Sequence, residues 1–185
     1  SAVRRSVVLP RLEEWVNQSF LGRPVNHGED QALTNIILRA GYDTVYQRTG
    51  VVWTLVPERY RQLHRMLTRW DRSYVVEGLS FARFMFTRYR ERGRVLPILG
   101  FVASTFRLVY VIVGLVALPG VLLREPGAVI AGLGGGFAIA SLSSLYYLRT
   151  ERSLRFLWGP FYAVYSFLAL QWILPYAIFT VRDER

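Results

Sequence analysis

The chain contains no cysteine and no lysine, and only two histidines in 185 residues. Without cysteine there is no disulfide framework, no thiolate metal site and no cysteine nucleophile. Without lysine, all 23 basic side chains are arginines, planar and permanently charged. His27 and His64 are far apart and have no cysteine partners, so surface or packing roles account for them better than metal ligation, and no metal site is expected here. No phosphate-cradling glycine loop precedes a helix: Gly134-Gly135-Gly136 lies deep in an apolar run. No Ser-His-Asp constellation is credible. The first apolar run, Val7-Val8-Leu9, is too short for a signal peptide. The chain does not open on methionine, and Ser1-Ala2-Val3-Arg4-Arg5 reads as the interior of a longer polypeptide.

Apolar residues make up 52% of the chain and are concentrated in its second half, and the net charge is +10. Such a basic balance suits nucleic acid or the anionic face of a membrane. The arginines crowd at the edges of apolar runs, as juxtamembrane charges do, so the expected partner is a lipid bilayer and not nucleic acid. A nucleic-acid binder would instead be water-soluble and salt-sensitive.

The centre of the chain is the arginine- and aromatic-rich stretch 57–97. Tyr60, Leu63, Leu67, Trp70 and Tyr74 fall on one helical stripe, while Arg59, Arg61, Arg65, Arg69 and Arg72 mostly occupy the other faces. That pattern predicts an amphipathic helix lying in a membrane interface. Upstream, residues 1–56 read as soluble. A helix is expected over Pro10–Phe20, broken at Gly22 and Pro24, and a second over Asp30–Ala40, closed by Gly41. Thr44–Gln47 and Val51–Thr54 read as short strands. Together these make one corner of an α/β domain, too small for a self-sufficient core.

Downstream, Phe101–Leu123, Ala128–Leu148 and Phe156–Val181 each reach the length of about 20 residues that a spanning helix needs. Arg107 in the first either snorkels to the interface or faces a polar cavity. Gly132, Gly134, Gly135 and Gly136 in the second would let another helix approach closely. Arg83, Arg88, Arg90, Arg92 and Arg94 precede the first span, and Arg149, Arg152 and Arg155 separate the second from the third. The positive-inside rule then puts residues 1–97 on the cytoplasmic side of the cell (inner) membrane and the C-terminus outside.

Two features could carry chemistry. Glu29-Asp30 opens a predicted helix after a glycine; it is either an ordinary N-terminal charge arrangement or a general base aimed by the helix terminus. Arg69-Trp70 is either amphipathic packing or a sugar site, with indole stacking on a pyranose and guanidinium pairing with phosphate.

Gly28-Glu29-Asp30-Gln31-Ala32-Leu33-Thr34-Asn35, Gly41-Tyr42-Asp43-Thr44-Val45-Tyr46-Gln47, Thr54, Val56-Pro57 and Arg69-Trp70-Asp71-Arg72-Ser73 together resemble the membrane-bound processive synthases of glycosyltransferase family 2. Within that family the bacterial hyaluronan synthases and rhizobial chitooligosaccharide synthases are most similar. Trp15-Val16-Asn17-Gln18-Ser19-Phe20-Leu21-Gly22 and Leu174–Arg182 extend the likeness over essentially the whole chain.

The resemblance implies the C-terminal portion of such an enzyme. Residues 1–56 would be an α/β corner of a GT-A glycosyltransferase domain, 57–97 interfacial amphipathic helices carrying the Arg-Trp pair, and 98–185 an all-α membrane part with three transmembrane helices. Asp30 matches the general base that deprotonates the acceptor hydroxyl, with Glu29 beside it in the substrate site. Arg69 and Trp70 match the last two positions of a Q-x-x-R-W motif, whose arginine holds the diphosphate and whose tryptophan stacks the acceptor at a channel mouth. The implied activity is inverting transfer from a UDP-sugar, UDP-N-acetylhexosamine with or without UDP-glucuronate, onto a growing saccharide acceptor that is then exported. Mg2+ or Mn2+ is expected for the intact enzyme, with its ligands outside this chain. Met66 stands where the motif has glutamine, Gln31 where the family has arginine, and no D-x-D motif occurs. The alternatives are a non-enzymatic membrane subunit or scaffold, and a non-processive transferase acting on a lipid-linked acceptor.

Overall fold

The computed structural model describes residues 3–25, 27–45, 47, 49–50, 52, 54–87, 89, 93–151 and 154–182. The chain forms two compact units, Ser1–Thr105 with Ile173–Arg185, and Phe106–Trp172.

In the first unit the helix expected over 10–20 is three short pieces. These are α1 (Arg5–Val8), a 3-10 turn at Leu9–Arg11 that accommodates Pro10, and α2 (Leu12–Val16). The chain then turns back in a two-strand ribbon, β1 (Ser19–Phe20) antiparallel to β2 (Arg23–Pro24). Its turn residues, Leu21 and Gly22, both have positive φ, at 52° and 79°, as a type I′ hairpin requires. This ribbon is the only sheet among the described residues. Of the strands expected at 44–47 and 51–54, Thr44, Val45, Gln47, Val52 and Thr54 lie in no strand, and Tyr46, Val51 and Trp53 fall outside the described residues. Val52, Leu55 and Val56 are bare, and an unpartnered hairpin is marginal in water.

The helix expected over 30–40 does form, as α3 (Glu29–Arg39). Gly41, at φ 90°, terminates it: its N–H bonds the Leu38 carbonyl at 3.0 Å and the Tyr42 N–H bonds that of Ile37 at 3.2 Å. That is a Schellman cap, which the left-handed conformation of glycine permits.

The stretch expected to be amphipathic forms α4 (Tyr60–Phe84), 25 residues long. Its buried seam is not the apolar stripe. Thr68, Arg72, Ser73, Val76, Glu77, Phe81 and Phe84 are buried, whereas Tyr60 and Trp70 are 46% and 55% exposed. On the expected stripe Tyr60 and Trp70 are open and Leu63, Leu67 and Tyr74 half-buried, while the buried seam mixes polar with apolar side chains. At its C-terminal end Phe81, Phe84 and Tyr89 form a knot of edge-to-face rings 5.2–5.8 Å apart, packed with Leu38 and flanked by Phe101. On its N-terminal half α4 carries α8 (Ile173–Phe179), where His64 meets Tyr176 at 5.7 Å. Residue 182 stays in this unit, its carbonyl accepting a hydrogen bond from Arg23 Nη1 at 2.9 Å. Residues 173–182 are therefore packed onto the part of the chain that the sequence reading set across the bilayer from them.

Two helices, α5 (Val95–Arg124) and α6 (Pro126–Glu151), are long and apolar enough to cross a membrane, and a bent pair would make a third span. Val111 is the only buried side chain of α5. The third segment is broken into a 3-10 turn (Leu154–Leu157), α7 (Trp158–Tyr165), a π turn (Ser166–Leu170) and α8, with a 40° bend. Pro175 supplies a cause: it lacks an N–H and its ring crowds the carbonyl four residues back, at Gln171, where the helix breaks. The expected close approach at Gly132, Gly134, Gly135 and Gly136 is absent, since a Cβ there meets nothing within 4 Å. It occurs instead at Gly159, where a Cβ would run into the Ser144 hydroxyl.

Phe81→Ala should cost about 3–5 kcal/mol through loss of the aromatic knot. A marked fall in the thermal midpoint of the detergent-solubilised protein, followed by tryptophan fluorescence, checks it.

Candidate functional site

Two helices that meet in one register build the candidate site. Ser73 Oγ donates to Gln31 Oε1 at 3.2 Å. Asn35 Nδ2 donates to Glu77 Oε2 at 2.7 Å and to the Glu77 carbonyl at 3.0 Å. Both pairs are 42 residues apart, so α3 and α4 run parallel, one turn matching one turn. The contact is tightest at the start of α3. A Cβ on Gly28, the N-cap residue with φ 78°, would come 2.7 Å from Ser73 Cβ and closer still to its hydroxyl. Glycine is required here twice over, by conformation and by space. On the other flank Trp15 Nε1 donates to the Glu29 carbonyl at 2.9 Å, tying α2 to the same turn.

This packing brings Glu29 and Asp30 alongside the middle of α4, where Arg69 lies one turn before Ser73 and Trp70 follows it. Glu29, Asp30, Arg69 and Trp70 are all exposed, which leaves this end of the α3–α4 joint an open shelf. The first turn of α3 is also where a helix dipole favours negative charge.

His27 sits in the same corner. Burial lowers its pKa from the ordinary 6.5, and the Arg72 and Arg69 guanidinium charges lower it further, against a smaller opposing effect of Glu29. The lowered pKa favours the neutral imidazole at pH 7. Arg72 is buried at this joint. Glu77 is buried too, and desolvation raises its pKa from 4.5 while the Asn35 hydrogen bond holds the rise back.

Among the described residues no group of three His, Cys, Asp or Glu side chains could hold a metal ion. Sequence reasoning passed over His27 as a site residue, named Asn35 and Ser73 only within longer motif runs, and passed over Glu77. The signal for the last three was a polar pair at i and i+4 on each helix, Gln31/Asn35 and Ser73/Glu77.

The second unit encloses an apolar cavity of about 470 Å³ between α5, α6, α7 and the π turn. Gly114, Gly132, Gly136 and Phe167 line it, with Tyr110 and Gln171 as polar points. Arg107 is exposed and not on its wall.

The hyaluronan synthase of Streptococcus pyogenes is 27% identical over 187 residues, covering 99% of this chain and 42% of its own length. The N-acetylglucosaminyltransferase of Azorhizobium caulinodans is 30% identical over 187 residues, covering 98% of this chain and 45% of its own. Hyaluronan synthase 3 of Mus musculus is 40% identical over 76 residues, 41% of this chain and 14% of its own. The chain spans less than half the length of the first two. No family model matches the chain, and no solved structure gives a significant match.

Two outcomes test this corner. The titration of His27, followed by NMR, should lie below 6.5 and move up when Arg69→Gln removes one of the neighbouring charges. The raised pKa of Glu77 fixes the sign of a stability effect. Its contribution is fully present below 4.5 and is lost as pH rises through the folded value, because ionisation is opposed by burial. Glu77→Gln should therefore melt higher than the parent at pH 8, with the gap closing near pH 4.5.

Proposed function

Starting from homology to hyaluronan synthase and a rhizobial N-acetylglucosaminyltransferase along almost its full length, we propose that the intact protein is a membrane-embedded inverting glycosyltransferase. It adds sugar units from a UDP-sugar, of the N-acetylhexosamine class with or without UDP-glucuronate, to a growing polysaccharide. The observation that carries this reading is the acidic first turn of α3 laid against α4 beside Arg69 and Trp70.

In the proposed reaction Asp30 takes the proton of the acceptor hydroxyl. The resulting oxygen attacks the anomeric carbon, a C–O bond forms with inversion, and the bond from that carbon to the diphosphate oxygen breaks to release UDP. Arg69 pairs with phosphate oxygens, for which its planar fork is suited. Trp70, with its indole exposed, stacks on the acceptor pyranose. Glu29 borders the same shelf. A divalent cation would supply charge neutralisation for the departing diphosphate, but the described residues offer no ligand set for it, so no step is assigned to it here.

In this reading residues 1–56 are the acceptor-side corner of a GT-A domain, 57–97 the interface helices and 98–185 the membrane part. Tyr60 and Trp70, the exposed members of the amphipathic stripe of α4, support a place at the bilayer surface. We revise the expected topology. The packing of α8 on α4 and the bond between Arg23 and the residue 182 carbonyl favour residues 173–182 on the same side as residues 1–97. In that topology α5 crosses outward, α6 returns, and the bent third segment enters without a full crossing. Both arginine clusters, 83–94 and 149–155, then lie on the cytoplasmic side.

Asp30→Asn in the intact protein should reduce polymer synthesis by about 10²–10⁴-fold, as expected for loss of a general base, with membrane insertion unchanged. Substantial residual synthesis overturns the assignment. Trp70→Ala should impair acceptor use more than UDP binding, and equal losses would remove its stacking role. A cysteine placed at Arg182 should be labelled only from the side that also reaches one placed at Arg23; labelling from the opposite face sinks the revised topology.

A further inference from the structure

The joint between α3 and α4 contains one interaction that neither touches the open shelf nor belongs to a hydrophobic core. Asn35 Nδ2 is shared between the Oε2 and the backbone carbonyl of Glu77. Glu77 is 8% exposed, so little else besides Asn35 satisfies its carboxyl. The charged groups that line the adjoining 220 Å³ cavity are Glu14, Arg39 and Arg83, of which Glu14 and Arg39 are paired with each other. A bond of this kind is directional. Apolar packing between two helices tolerates sliding, whereas a donor held by two acceptors on one residue fixes both axial position and rotation. It lies one turn beyond the Gln31–Ser73 contact and in the same register. A slip of one residue along α4, about 1.5 Å, would draw Gly28 off Ser73 and change the offset between Asp30 and Arg69 by the same amount.

We propose that Asn35 and Glu77 are positioning residues: their hydrogen bonds lock α3 onto α4 so that Asp30 is held level with Arg72, about one turn along α4 from Arg69 and Trp70. The catalytic consequence rests on the proposed function; the geometric claim does not. Catalysis of this type is sensitive to displacements of about 1 Å, which gives a lock behind the site its effect on rate.

This chain contains no cysteine, so once any cysteine in the rest of the intact protein is replaced, a placed pair measures the lock directly. Gln31→Cys and Ser73→Cys in the intact protein remove the neighbouring polar contact and report the register through a short bifunctional thiol reagent. Cross-linking should be efficient in that background and also with Glu77→Gln, which keeps an oxygen for Asn35. It should fall at least fivefold with Asn35→Asp, which sets two carboxyls against each other. It should return in Asn35→Asp/Glu77→Gln, where donor and acceptor are exchanged. If Asn35→Asp does not give monodisperse protein, Asn35→Ala takes its place in the comparison. Equal cross-linking in the parent and the Asn35 variant overturns the proposal. In the cysteine-free protein the same series should lower kcat for elongation at least tenfold in Asn35→Asp, leave KM for the donor unchanged, and recover in the exchanged pair. Loss of kcat without recovery in the exchanged pair counts against a positioning role. If cross-linking follows the expected pattern but no variant, parent included, makes polymer, the lock stands and the proposed function fails.

Discussion

The parallel contact between α3 and α4 is the constraint from which the other features of the first unit follow. Parallel helices have no short connection available to them, so the chain between Arg39 and Tyr60 must run back along their length, and its described residues lie in no helix or strand. The register depends on polar groups placed at matching heights: Gly28 under Ser73, Gln31 against Ser73, Asn35 against Glu77, then Leu38 in the ring cluster. The contact changes character along its length. At one end it is a backbone approach that only glycine allows, in the middle it is hydrogen-bonded, and at the far end it is aromatic. Stability therefore concentrates near Phe81 and Phe84, while the end that bears Glu29 and Asp30 is held by fewer groups and stays open to solvent.

Much of this was readable from residues alone. Gly28, the acidic pair behind it and Gly41 bracket α3, and both glycines adopt the left-handed conformation that their positions demanded. The length of α4 was also legible, but its orientation was not. An apolar stripe is ordinarily taken as the face that packs, and that inference assumes water as the other solvent. Here Trp70 and Tyr60 are exposed and Thr68, Ser73 and Glu77 are buried. The pairing of Asn35 with Glu77 spans 42 residues, and no local pattern dictates a partner at that distance.

The described residues of 44–47 and 51–54 lie in no strand for a different reason. Alternation and β-branching describe a surface that can pair, not one that has found its neighbour. Bare Val52, Leu55 and Val56 leave that demand unmet within these residues. The third apolar segment was long enough to span and its prolines were in plain view. Length alone said nothing of the π turn at Ser166–Leu170, or of α8 leaving the apolar unit to join α4. Likewise the glycine run in α6 suggested contact, whereas the packed glycine is Gly159.

A helix with bare aromatic side chains has a practical corollary for anyone who would isolate the water-facing part of this chain. Tyr60 and Trp70 are left uncovered on one face of α4, Leu79 on another and Phe86 just beyond its end. Cutting away α5 and α6 removes the obvious hydrophobic segments but not these, and a clipped piece ending near residue 94 would carry several bare apolar side chains. Such a piece would self-associate or cling to micelles, so trimming the spans is no route to a well-behaved soluble domain.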